Sequence, residues 1–224
     1  RAMARLPRLV LAGQPHLVLQ RALDGRAPFA DEADRARFID ILREGLAVEH
    51  VQLHAYALAS RELRMLLTPA APQALARLAQ ALGRRYVVAY NRRHGRRGTL
   101  WDGRFRACPV EPGDFVLAAM AWIEQDGEAG LASSAAHHLG VRNNPLLSNP
   151  PAYWGLGNTP FEREAAWRRR LDAGLAPLQE AQLQRALRGG WALGSPAFAA
   201  SIASAGRPAA PRPAGRPRRP RATP

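Results

Sequence analysis

The 23 residues from Arg84 to Arg106 carry eight arginines and a single acid, Asp102. Arginine presents a planar fork of donors that matches phosphate geometry, so this stretch is suited to polyanion contact. Arg84 and Arg85 fall on a predicted helix, and Arg92, Arg93, Arg96 and Arg97 bracket its end. Trp101 and Phe105 are interleaved with Arg104 and Arg106, and rings set among cations read as stacking platforms for unpaired bases. Packing under the loop is the alternative reading for Trp101. Tyr86 and Tyr90 share one helix face at i and i+4, a spacing that reads first as packing and only second as a nucleophile. His54 lies in an alternating pattern where a satisfied structural histidine is expected. His137 and His138 lack a partner at ligand spacing and read as surface. The lone cysteine, Cys108, excludes an internal disulfide and a cysteine-based zinc site.

The rest of the chain must position those residues. Its 224 residues include 32 basic ones, all arginine, against 18 acids, for a net charge of +14. A GC-rich genome explains the missing lysine but not the net charge, which points to nucleic acid. Residues 201–224 add six arginines and six prolines with no acid, so the charge forms a central patch and a tail. At 47% hydrophobic residues the chain can bury a core. Its apolar runs are too short to cross a bilayer, and a cytoplasmic location is expected. In the tail, Gly-Arg216-Pro217 resembles an AT-hook core, whose arginine enters a narrow minor groove; a nonspecific basic tail is the alternative. Arg168–Arg170 form a further cluster beside Trp167.

Hydrophobic spacing predicts strands at His16–Leu23, Val51–Leu58, Glu62–Thr68 and Arg104–Val110, and helices at Asp31–Leu46, Pro72–Arg93 and Pro112–Gln125. Val51–Leu58 alternates as a half-buried strand does. This β-α-β-β-α-β-α order predicts an α+β fold with helices on an antiparallel sheet. Residues 1–130 read as one domain and 131–160 as a connector. Residues 161–200 read as a helical extension (Phe161–Leu171 and Leu178–Arg188), and 201–224 as a disordered Pro/Arg tail.

Several segments resemble the REP-associated tyrosine transposases, of the IS200-like transposase family. They are ARLPRLVLAGQPHLVLQRA at the start, LHAYAL, the run from LLTPAAPQ to LWDGRFRA, and RALRGGWALGSPAFAASI with the GRPRR tail. The resemblance spans roughly residues 4–221 and implies a ferredoxin-like fold that nicks and rejoins single-stranded DNA. It implies a His-x-His pair on the third strand holding a divalent metal such as Mg²⁺, a nucleophilic tyrosine on the following helix, and a polar metal ligand one turn later. Two imidazoles at i and i+2 of a strand face the same way and can share an ion, and tyrosine conserves the bond as a phosphotyrosine.

At those positions this chain has Glu62, Arg64, Trp122 and Asp126. Arginine has no lone pair for a metal, and tryptophan has no hydroxyl. The expectation is a catalytically inactive DNA-binding relative, a pseudoenzyme without a metal cofactor, whose partner is single-stranded or hairpin DNA. The Arg64 guanidinium is expected in the metal's place, paired with Glu62 and Asp126; drifted, solvated residues are the alternative. Mg²⁺ on Glu62 and Asp126 stays open, still without a nucleophile. An active enzyme with a non-standard site and an RNA-binding or scaffold protein are the competing functions.

Overall fold

The computed structural model describes residues 8–125, 133–203 and 208–211. Their elements are β1 (His16–Arg21), α1 (Glu32–Val48), β2 (Val51–Leu58), β3 (Glu62–Pro69), α2 (Ala74–Arg93), β4 (Arg106–Pro109) and α3 (Asp114–Glu124). After these come α4 (Ala135–His138), α5 (Pro151–Trp154), α6 (Pro160–Ala173), α7 (Pro177–Gly189) and α8 (Pro196–Ile202). The strands form one antiparallel sheet in the order β2-β3-β1-β4, which is ferredoxin-like.

Local signals account for the element ends. Asp31 caps α1 by accepting from the Asp34 N–H at 3.0 Å. Thr159 and Glu162 form a capping box at α6, with Pro160 at its first position. Between β2 and β3 the connection is tight, closed by the Ala59 N–H donating to the Glu62 carbonyl at 2.9 Å.

Both faces of the sheet are covered. On one face, α1 and α2 bury Phe38, Leu42, Leu75, Leu78 and Tyr86 against Val18, Leu63, Met65 and Leu67. On the other, α3, α6 and α7 bury Met120, Ile123, Trp167, Leu183 and Leu187 against Leu17, Leu19, Ala55, Ala57, Leu66 and Cys108. The strand residues alternate between the two clusters, as period-two geometry requires. The half-buried expectation for Val51–Leu58 is therefore corrected: all of β2 but Gln52 is buried, because α3 packs on the face that alternation leaves for solvent and residues 133–148 bond along the open edge of the strand. Residues 133–203 pack on that second face through Tyr153, Trp167, Leu183, Leu187 and Leu193, while Leu146 and Leu147 pack against the first cluster. The segment read as a connector carries α5 and donates from the Ser148 N–H to the Leu53 carbonyl at 2.8 Å. No helix among the described residues is long and apolar enough to cross a membrane.

Candidate functional site

Glu62 and Arg64 stand two apart on β3 and so project to the same face, the one covered by α3. The Arg64 Nε donates to the Glu62 carboxylate at 2.6 Å and its terminal nitrogen to the Trp122 carbonyl at 3.1 Å. Its guanidinium carbon sits 4.0 Å from the centre of the Trp122 ring. Arg21, on the neighbouring strand in register with Glu62, approaches that carboxylate at 3.4 Å. The expected pairing of Arg64 with Glu62 is thus present, and Trp122 faces both across the sheet–helix gap. Asp126 lies outside the described residues, as does Arg216.

This gap opens into a cleft of about 650 Å³, walled by the β2–β3 turn, β1, the end of α3, and α7. Arg21, Arg61, Arg64, Arg106 and Arg188 line it, against Glu62 and Glu180. Arg106 and Arg188 also line an adjoining groove of about 360 Å³ with Arg8 and Arg104. The two hollows thus share arginines along the β4 edge. Arg21, Arg61 and Arg188 are not obvious from sequence: the first two sit in ordinary strand and turn patterns, and Arg188 is remote in the chain. Only the return of α7 over β1 and β4 brings it in.

The central arginine stretch divides between two layers. Arg104 and Arg106 reach the groove, while Arg84, Arg85, Arg92 and Arg93 belong to α2, which covers the opposite face of the sheet. Two of these α2 cations are committed. Arg85 pairs with Glu44 at 2.6 Å, and Arg93 pairs with Asp31 at 2.6 Å and Asp34 at 2.7 Å. Hydrogen bonding from Arg93 pulls the Asp31 carboxyl down to about 2. Arg96 lies 5.7 Å from the Tyr90 ring centre, and Arg97 is exposed in the following loop.

Burial bears on four other expectations, and it corrects those for Phe105 and His138. Phe105 is in the core with the Arg8 guanidinium 3.7 Å over its ring, so it is closed to base stacking. Trp101 packs partly buried against the α1–α2 cluster, 6.2 Å from Phe29. His138 is fully buried, not on the surface: its Nδ1 lies 2.6 Å from Glu124 Oε1. The same carboxylate accepts from the Ser134 hydroxyl and, at 2.8 Å, from the Trp167 indole N–H. His54 is a satisfied strand residue, held between the Ser148 carbonyl at 2.6 Å and the Thr68 hydroxyl at 2.8 Å; burial lowers its pKa.

Tyrosine chemistry has no candidate in the cleft. The chain has four tyrosines, none of which lines it. Tyr86 and Tyr90 donate to the Pro28 and Ala27 carbonyls at 2.6 and 2.8 Å, and Tyr153 donates to the His138 carbonyl at 2.8 Å. Tyr56 accepts from the Asn144 amide at 3.2 Å. Burial raises the pKa of Tyr86 and brings Tyr153 up to about 12. Of the residues that the resemblance assigns to a divalent metal, Arg64 has no lone pair for an ion and its Nε engages Glu62. No three His, Cys, Asp or Glu side chains converge among the described residues.

The fold and site define an α+β protein with ferredoxin-like strand order and an arginine-lined cleft on its second face. No family model matches the chain, and no curated protein matches it. Among solved structures, a REP-associated tyrosine transposase bound to a REP hairpin aligns at a TM-score of 0.48 and 8% identity, over 67% of this chain and 93% of that one. A candidate transposase from Deinococcus radiodurans R1 aligns at a TM-score of 0.38 and 20% identity, over 49% of this chain and 88% of that one. Neither likeness assigns an activity to this chain.

Proposed function

We propose that the chain is a transposase-like protein that binds DNA, single-stranded or hairpin, in the arginine-lined cleft and does not cut it. The observation that carries this reading is Arg64, whose guanidinium bridges the Glu62 carboxylate and the Trp122 carbonyl and covers the Trp122 ring. A fixed organic cation there supplies positive charge beside a phosphate without acting as a Lewis acid. The indole at Trp122 cannot form a phosphotyrosine, so a bound strand has no covalent route at that position. Arg21, Arg61, Arg106 and Arg188 are exposed along the cleft, and each phosphate they neutralise releases counterions. Arg104 extends the track along the groove beside β4.

The test is a labelled single-stranded hairpin oligonucleotide incubated with the protein and Mg²⁺ or Mn²⁺, followed on native and denaturing gels. Retardation at low salt with neither a shortened product nor a covalent adduct is expected. A nick or an adduct refutes the loss of chemistry, and absence of binding at low salt refutes the DNA reading. Matched RNA and DNA hairpins in competition decide between the two nucleic acids.

A further inference from the structure

A third hollow, of about 320 Å³, lies where α4, α5 and α6 meet beside β2, the strand at the opposite edge of the sheet from β4. Its volume falls in the lower range of small-molecule pockets, ~300–1,000 Å³. Trp154 forms one wall and is 52% exposed, unusual for so large a ring. Its indole N–H donates to the Asn149 carbonyl at 3.2 Å, which fixes the ring. The Arg163 guanidinium sits 4.7 Å from the ring centre and is itself held by the Gly157 carbonyl at 3.0 Å. Trp154 and Arg163 therefore make a rigid planar stack with the indole still open to solvent.

Arg163, Tyr153, Asn149 and His137 spend their polar groups on protein partners, and three other polar side chains of the pocket do not. Among the described residues, the half-buried Glu164 carboxylate makes no hydrogen bond or ion pair, and the side chains of Arg142 and Asn143 make none either. Gly140, at φ +71°, leaves the space that the Glu164 carboxylate occupies, and a Cβ there would collide with it. His137 at the rim is held toward its neutral form by burial. The pocket thus combines a stacking surface, a two-oxygen acceptor and a free cation.

Resting on the nucleic-acid reading of the cleft, we propose that this pocket takes one unpaired guanine nucleotide of the bound strand. The base stacks on Trp154, and its Watson–Crick edge, where an N1–H and an N2 amino group stand side by side, donates both hydrogens to the Glu164 carboxylate. Arg142 receives the phosphate. Adenine, cytosine and thymine do not present two adjacent donors on that edge, so the carboxylate discriminates against them.

The test titrates the full chain with 5′-dGMP, and with 5′-dCMP and inorganic phosphate as controls, by calorimetry. In parallel, the hairpin oligonucleotide with a single-stranded guanine in its flank is titrated by anisotropy. The expected result is dGMP binding that exceeds dCMP and phosphate and falls about tenfold or more in Trp154→Ala and in Glu164→Gln, while Trp154→Phe keeps most of it. Equal binding of dGMP and dCMP, or dGMP binding unchanged in both variants, overturns the proposal. The pocket and the cleft fail separately. If Arg106→Ala/Arg188→Ala weakens the oligonucleotide while dGMP does not bind, the guanine pocket is refuted and the cleft stands. If dGMP and the oligonucleotide both bind through Trp154 while Arg106→Ala/Arg188→Ala leaves the oligonucleotide affinity unchanged, the cleft reading is refuted and the pocket stands. Thermal denaturation shows whether each variant is folded before it is scored.

Discussion

The Arg64 guanidinium lies 4.0 Å from the centre of the Trp122 ring and donates to the Trp122 carbonyl at 3.1 Å. One side chain thus ties β3 to α3 through both a ring and a backbone acceptor, with Glu62 as its counter-ion. Both members of the ion pair are largely shielded, at 13% and 16% side-chain exposure, so their attraction is stronger than that of a surface pair.

Removing that cation leaves Glu62 with Arg21 alone at 3.4 Å and uncovers the indole. Arg64→Ala is expected to destabilise the fold by about 2 kcal/mol. Urea denaturation with an unchanged slope reads this as a lower midpoint. An unaltered midpoint would mean that the cluster adds nothing to stability.

The buried Glu124 carboxylate collects three donors, from Ser134, His138 and Trp167, and so pins residues 133–173 to α3. Glu124→Ala strands all three in the core, at an expected cost of roughly 3–5 kcal/mol. Limited proteolysis should then cut within 133–173 first; cleavage spread evenly over the chain would refute the pinning role.

His16 supplies a pH dependence. It is fully buried, with Nε2 accepting from the Leu11 N–H at 3.2 Å and Nδ1 2.7 Å from the Gln14 carbonyl. Desolvation lowers its pKa from 6.5 to about 4. Below pH 6.5 the unfolded chain takes up the proton that the folded chain refuses, so stability falls as pH drops toward 4 and levels off beneath it. The full effect is roughly 3 kcal/mol, and burial pushes His54 and His137 in the same direction. Denaturation midpoints measured between pH 7.5 and 4 test the slope, and an imidazole resonance of His16 titrating near 6.5 would contradict it.

Gly83 sits inside α2, and a Cβ built there meets nothing within 4 Å. Gly83→Ala should therefore raise stability by about 0.5–1 kcal/mol through helix propensity alone. Gly45 on α1 does not share that gain, because its Cβ would stand 2.7 Å from the Leu78 side chain where the two helices touch. A Gly83→Ala chain no more stable than the parent would refute the open-space reading.

Legibility followed the range of the interactions. The β-α-β-β-α-β-α order was readable because each element carries its own hydrophobic period, and α1 in addition opens on its own cap, Asp31. The pairing of Arg64 with Glu62 was readable because residues at i and i+2 of a strand share a face. What alternation could not show was the burial of β2, whose second face lies under α3 and whose edge is bonded by residues some 80 positions away, such as Ser134 on the Tyr56 backbone. For the same reason His138 read as surface: its partners Glu124 and Asn149 stand on separate elements. The arginine stretch misled differently. It is continuous in sequence, yet the turn out of α2 places its halves on different layers.

That division yields the sharpest functional prediction. If a strand lies in the cleft and groove, Arg106 and Arg188 each meet a phosphate, while Arg84 and Arg92 on α2 face away from it. For single strands, log K falls with log salt by about 0.7 for each phosphate neutralised. Arg106→Ala/Arg188→Ala should therefore flatten the slope by about 1.4 and weaken binding at every salt concentration. Arg84→Ala/Arg92→Ala removes the same charge from the protein but should leave the slope unchanged, because release of counterions needs contact and not net charge alone. Anisotropy of a labelled oligonucleotide over a range of salt concentrations separates the two. Flattening by the α2 pair instead would place the DNA on the helical layer and leave the cleft without a role in binding.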